Sequence, residues 1–255
     1  MTGRAHWIAA VVMLALTGGV ASAQQAPAIE PRGEKILSIM SDLLAGAKQF
    51  TVHNDQTSDE LALSGDLVEL SSSVELAVRR PDEAHAVLHG DLRPMRYWIG
   101  GGRVAVMDVS RWTYAVAPAP KDLDAAIDQL WEQYGMKVPL ADFISDSPYE
   151  DLTRHVETGT YVGLHEIDGV PCHHLAFRQS DIDWQIWIAD GLLPLPRKLL
   201  IVYKNEPGAP RYTARLSAWD LSPGLGDRIF DFEPPEGAGR IEFAERGADR
   251  GESSP

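Results

Sequence analysis

The stretch HEIDGVPCHHLAFRQSDIDWQIWI, residues 165–188, holds the only cysteine of the chain with three histidines and two tryptophans, and its apolar residues alternate. Alternation marks strands with one buried face, and Asp-Gly between two such runs is a strong short-range hairpin signal. With Asp168-Gly169 as a two-residue turn, Ile167 faces Val170 and His165 faces Cys172, so His165, Cys172 and His174 share one side. A second hairpin near Ser180-Asp181 adds Asp183, Gln185 and Trp187 to that side. It leaves His173, Leu175, Phe177, Trp184, Ile186 and Ile188 on the other, and a slip of one residue would exchange the two sets. The second set is mostly large and apolar, and burying each such side chain is worth roughly 1.5–3 kcal/mol. The stretch therefore reads as two strands of a wall whose apolar face is core or the lining of a cavity.

His165, Cys172 and His174 have the ligand types that suit zinc, and adjacent strands bring them close, which keeps a metal-dependent hydrolase as an alternative. The spacing is weak support. HEIDG places Gly169 where a helical metalloprotease pair needs its second histidine, and the segment is a strand. A small polar belt on a sheet, with Cys172 as a compact apolar residue, is the plainer reading. His173, on the apolar face, reads as a core histidine with its polar atoms satisfied. No G-x-S-x-G, G-x-x-x-x-G-K or C-x-x-C motif occurs, so no catalytic residue and no cofactor are assigned.

Period two extends outward from this stretch. Strand-like runs FTVHND, ELALSGDLVEL, SSVELAVRR, AHAVLHG, RYWIG, RVAVMD and TYAVA lie between residues 50 and 117, separated by Gly, Pro, Asp and Ser. The three glycines of WIGGGRVAV sit between two strands with no helix following, as in a hairpin turn and unlike a phosphate loop. RKLLIVYK and YTARLSAW continue the second strand set, and FDFEPPEGAGRIEF alternates until Pro234-Pro235. Helical spacing appears at Ile36, Leu37, Met40, Leu43, Leu44 and Ala47, again at Leu123, Ile127, Leu130, Trp131 and Tyr134, and over residues 139–154. Acids of KDLDAAIDQLWEQYG fall opposite its apolar stripe, as on a solvated face. The pattern predicts an α+β fold in which a curved antiparallel sheet, a half-barrel, wraps around a few helices.

At the amino end Arg4, an apolar run over residues 7–16 and Ala21-Ser22-Ala23 have the form of a secretory signal cleaved between Ala23 and Gln24. The run falls short of the roughly 20 residues that span a bilayer. The expected organisation is a signal over residues 1–23, one domain over 24–243 and a disordered tail over 244–255, which is almost devoid of apolar residues. The mature protein is expected in the periplasm without a transmembrane segment. Cys172 has no partner in the chain for a disulfide, so an oxidising compartment adds no internal cross-link. The formal charge of −14 becomes one unit more negative when Arg4 leaves. Such a chain is repelled by phosphate, so nucleic acid and anionic membrane surfaces are poor partners.

RRPDEAHAVL, YWIGGGRVAV, YGMKVPLADFI, GTYVGLHEIDGVPCHHLAFRQSDIDWQIWI, PLPRKLLIVYK and FDFEPPEGA together resemble the predicted periplasmic family called domain of unknown function 2092, over residues 30–243. That resemblance implies an envelope location and no activity. More remotely, the order of helix, strands ending in Arg80-Pro81, helical insertion, strands and a closing F-x-F-x-P-P-x-G-A is similar to the LolA and LolB lipoprotein carriers. Their half-barrels enclose an apolar cavity. This likeness implies a LolA-like fold and a non-enzymatic binder or carrier, its partner a lipid or a lipoprotein acyl chain. The expected lining is Val74, Leu76, Val78, His173, Leu175, Phe177, Trp184, Ile186 and Ile188. A structural or partner-binding envelope module with a filled core is the alternative from outside ligand chemistry.

Amino-terminal sequencing of the exported protein is expected to begin at Gln24. Recovery of membrane-bound chain that retains residues 1–23 is the result that contradicts this reading.

Overall fold

A computed structural model describes residues 28–91, 93–136, 138 and 140–244. The signal segment with Ala23 and Gln24, and the expected tail apart from Ala244, lie outside the described residues. Helix α1 (Pro31–Gly46) leads into a long hairpin, β1 (Gln49–Leu61) and β2 (Leu67–Arg79). A meander follows: β3 (Glu83–Gly90), β4 (Met95–Gly100), β5 (Arg103–Asp108) and β6 (Thr113–Pro118). Helices α2 (Leu123–Tyr134), α3 (Ala141–Ile144) and α4 (Pro148–Thr153) precede a second meander, β7 (Thr158–Ile167), β8 (Val170–Arg178), β9 (Ile182–Ala189), β10 (Pro196–Tyr203) and β11 (Arg211–Asp220). A two-residue strand, β12 (Gly239–Arg240), comes last. All twelve strands form one sheet in the order β12-β6-β5-β4-β3-β2-β1-β11-β10-β9-β8-β7, antiparallel except where β12 runs beside β6. The expected open, curved antiparallel sheet with few helices is the fold of the chain.

Local chemistry sets the element ends. Pro31 opens α1, where a missing N–H costs nothing. Asp122 caps α2 by accepting from the Ala125 N–H at 2.9 Å, and Gly135, with φ 66°, closes it. Asp168 and Gly169 both have positive φ, 50° and 77°, as a two-residue type I′ turn requires. That turn pairs Ile167 with Val170 and His165 with Cys172. The next hairpin pairs Phe177 with Trp184, Leu175 with Ile186 and His173 with Ile188. These are the face assignments read from alternation.

The helices cover one face of the sheet, here called inner. Leu37, Met40 and Leu44 of α1 are fully buried against it, and Phe143, Ile144 and Leu152 of α3 and α4 are buried in the same cluster. The sheet contributes Phe50, Val52, Val78, Leu175, Phe177, Trp184, Ile186, Ile188, Leu199 and Leu216 to the same cluster. The Phe177 and Trp184 rings stack at 4.0 Å with 17° between their planes. Gly159, next to Phe177 on β7, is required for this stack, because a Cβ there would lie 2.8 Å from the Phe177 ring and 3.0 Å from Ile29. On the outer face Phe232 packs on Trp98 and Tyr114, with ring centroids 4.9 and 5.4 Å away.

Three expectations change. ELALSGDLVEL is no strand of its own, since residues 62–66 turn the chain back between β1 and β2, Gly65 at φ 89°. The stretch expected over residues 139–154 is not one helix among the described residues 140–154. Pro148 disfavours a helical residue before it, and Ser147 is accordingly non-helical at φ −131° and ψ 62°, which separates α3 from α4. The closing FDFEPPEGAGRIEF pairs only at β12, because Pro234 and Pro235 offer no N–H to a ladder.

Trp184→Ala is expected to cost roughly 3–5 kcal/mol and Gly159→Ala about 1–3 kcal/mol through overpacking, both by urea unfolding. A Gly159→Ala protein as stable as wild type contradicts the close Phe177 packing.

Candidate functional site

The sheet carries different chemistry on its two faces, and register places each residue. Of the nine expected lining residues, Val78, Leu175, Phe177, Trp184, Ile186 and Ile188 are 0–3% exposed and packed into the inner core. Val74 and Leu76 are half-buried, as is Leu88, which pairs with Val74 across β2 and β3. His173 lies on the inner side at the β7 end of the sheet. Its Nδ1 is 3.2 Å from the Tyr161 hydroxyl and its Nε2 3.2 Å from Asp190 Oδ1, so it is tied by polar contacts at the rim.

Between the packed and half-buried halves lies a polar cluster. Asn54 sits at the inward phase of Phe50 and Val52 and is 1% exposed. Its Nδ2 donates to Gln56 Oε1 at 2.9 Å and to the Tyr212 oxygen at 3.3 Å. The Tyr212 hydroxyl donates to Gln56 Oε1 at 2.8 Å, and Gln56 Nε2 donates to Ser72 Oγ at 3.0 Å. Burial pushes the Tyr212 hydroxyl far above its usual pKa, with the Asn54 hydrogen bond opposing, so it stays a neutral donor. Asn54 Oδ1 is fully buried and accepts no hydrogen bond from the described residues. An unmatched buried acceptor costs about 1–3 kcal/mol, and among the atoms of this cluster it is the buried one left without a partner.

On the outer face the zinc-type residues separate by environment. Cys172 is a free, fully buried thiol that donates to the Val170 carbonyl at 3.3 Å and packs with Ile167 and Trp187. Burial raises its pKa, the reverse of a thiolate poised for metal or nucleophilic work. Among the described residues no group of three His, Cys, Asp or Glu converges to hold a metal ion. His165 and His174 instead bond to each other, Nδ1 to Nδ1, at 3.0 Å, and His174 Nε2 donates to Gln185 Oε1 at 2.9 Å. With that donor fixed, His174 Nδ1 accepts and His165 Nδ1 donates. His174 also stacks on Trp187 at 4.0 Å. Burial pushes its pKa below the usual imidazole value; the Gln185 hydrogen bond opposes this and the charges of His165 and Lys198 add to it.

Alternation alone located the inner apolar set. It missed the Asn54, Gln56, Ser72 and Tyr212 cluster, whose one visible signal is an asparagine at the phase of Phe50 and Val52. Lys198 and Arg215, which pair across β10 and β11, gave no signal because they are far apart in sequence.

A family model described as "Predicted periplasmic protein (DUF2092)" matches residues 33–244. No curated protein matches the chain. Among solved structures, the lipoprotein LppX of Mycobacterium tuberculosis is 15% identical, with a TM-score of 0.49 over 77% of this chain and 100% of that one. LprF of Mycobacterium bovis is 12% identical, with a TM-score of 0.42 over 84% and 100%. A LolA superfamily protein from Nitrosomonas europaea is 11% identical, with a TM-score of 0.39 over 78% and 97%.

The His174 shift has a definite sign. A base whose native pKa lies below its unfolded value favours the neutral form, so its contribution is present above pH about 6.5 and is lost as pH falls through that value towards the depressed native one. Urea unfolding between neutral and mildly acidic pH is expected to show a smaller loss of stability for His174→Gln than for wild type. Identical slopes contradict the assignment.

Proposed function

The chain belongs to the DUF2092 family of predicted periplasmic proteins, and we propose that it is a non-enzymatic periplasmic binding or carrier protein for an amphiphilic ligand. The apolar part lies along the inner face of the sheet and the polar end meets the Asn54 cluster. The observation that carries this reading is that the inner apolar face extends beyond its helices. Under α1, α3 and α4 the wall from Leu175 to Ile188 is sealed, whereas Val74, Leu76 and Leu88, on the same face, remain half-buried. Apolar surface left beside a closed core is where an acyl chain or similar group gains most from leaving water. Gln56, half-buried and bonded to Asn54 and Ser72, supplies polar atoms for a ligand hydroxyl or amide at the edge of that strip.

The residues of the sealed half form the floor and take no part in chemistry. Cys172 is protonated and apolar in its surroundings, which disfavours the hydrolase reading. Export with a cleaved signal belongs to the same proposal and is supported by the family description and by the residues around Ala23.

Titration with a fluorescent fatty acid such as cis-parinaric acid is expected to show saturable binding that Leu76→Asp weakens about tenfold or more while the circular dichroism spectrum is kept. Gln56→Ala is expected to weaken a hydroxylated ligand more than an alkane. If wild type binds no apolar probe and protein purified from periplasm carries no added mass in native mass spectrometry, the structural module with a filled core takes the place of the carrier.

A further inference from the structure

The outer face has a row of residues that only the sheet register brings together. His174 pairs with Trp187, Trp187 with Lys198, Lys198 with Arg215, Arg215 with Asp55, Asp55 with Ser73, and Ser73 with His89, across seven strands. A groove of about 640 Å³ lies over the Lys198 to His89 part of this row, with Thr57, Ser71 and Thr213 among its lining residues. That volume is within the range of small-molecule sites, and the lining is hydroxyl, imidazole and charge of both signs, so a fitting ligand is polar. Of the two acids in it, Asp91 is engaged by the Ser71 N–H, which donates to its Oδ2 at 2.8 Å.

Two cations directly opposite each other on neighbouring strands repel, and a sheet usually places an acid there. Arg215 has Asp55 opposite on its other side, yet its Nη1 turns to Asp168 Oδ1 at 2.6 Å. Asp55 is held by His53 Nε2 at 3.1 Å. Among the described residues no ion pair involves Lys198, whose Nζ rests 4.6 Å from the centre of the Trp187 ring. The ring is fixed in turn by its stack on His174. In a chain of formal charge −14, a lysine held without an ion pair and set beside an arginine is a point where a ligand anion meets two adjacent cations. Burial, with the adjacent Arg215 charge, lowers the Lys198 pKa, and the Asp168 carboxylate opposes this.

We infer that this groove binds a small hydroxylated anion, a sugar acid or sugar phosphate, whose carboxylate or phosphate bridges Lys198 and Arg215. The Ser73, Thr57 and Thr213 hydroxyls and the His89 ring face the ligand's hydroxyl groups. Charge-assisted hydrogen bonds to two cations supply the affinity, and the hydroxyl lining supplies both donors and acceptors for a polyol. The site lies on the face opposite the apolar strip and does not depend on it.

Isothermal titration of the full mature chain with glucuronate, glucose 6-phosphate and glucose tests the assignment. One or both anionic sugars are expected to bind at one site, glucose far more weakly, and the two anions distinguish a carboxylate from a phosphate preference. Lys198→Gln and Arg215→Gln are each expected to weaken binding about tenfold or more, whereas Lys198→Arg keeps it. A circular dichroism spectrum and a urea midpoint equal to wild type show that Lys198→Gln is folded, and an unchanged response to an apolar probe separates this site from the inner face. Absence of saturable binding to either anion at about 10 mM, or equal affinity in wild type, Lys198→Gln and Arg215→Gln, overturns the inference.

Discussion

Burial of one sheet face beneath α1 is the constraint on which the rest of the molecule depends. Leu37, Met40 and Leu44 form a stripe that cannot be left in water, and the wall from Leu175 to Ile188 is the surface that receives it. Once that face is inner, alternation fixes the outer side of every strand in register with it. The approach is close. Gly33 faces Leu175, with room for a Cβ only at 3.4 Å, and Gly159 makes space for the Phe177 ring. The helix and two glycines thus hold the curved sheet to one set of pairings, since a slip by one residue would put Trp184 and Ile186 in water and Gln185 in the core.

The same constraint divides the chemistry between the faces. Polar groups on the inner side must satisfy one another, and the cluster of Asn54, Gln56, Ser72 and Tyr212 does so with the exception of one oxygen. Polar groups on the outer side have water available, so histidines, a lysine and an arginine stand in one row without complete neutralisation. Cys172 shows that residue type does not decide a role. Its neighbours Ile167 and Trp187 make it part of a small apolar cluster, and its histidine neighbours turn to each other and to Gln185.

Period-two alternation and the Asp168-Gly169 turn were enough, from the sequence alone, to specify the β7-β8-β9 pairing, the division of His165, Cys172 and His174 from Leu175, Phe177 and Trp184, and an antiparallel sheet interrupted by helices. These properties are local: each depends on backbone geometry over a few residues and on the cost of exposing apolar groups. The turn between β1 and β2 was less legible, because ELALSGDLVEL keeps its alternation through the bend and Gly65 carries the reversal. The closing segment misled in the opposite sense, since the alternation of Phe230 and Phe232 came from packing, Phe232 on Trp98 and Tyr114 and Phe230 against the Arg79 guanidinium, and not from pairing.

Only the tertiary structure decided how much of the inner wall is covered and which distant side chains meet. Val74 and Val78 have the same inward phase and the same side chain, yet one is half-buried and the other fully buried, because the helices cover one end of the curved face and not the other. Lys198, Arg215, Asp55 and His89 become neighbours only when β1 inserts between β2 and β11 and joins the two meanders. Alternation determines the face on which a side chain lies. The order of strands and the position of the helices, both set by contacts between residues far apart in the chain, determine what that face encounters.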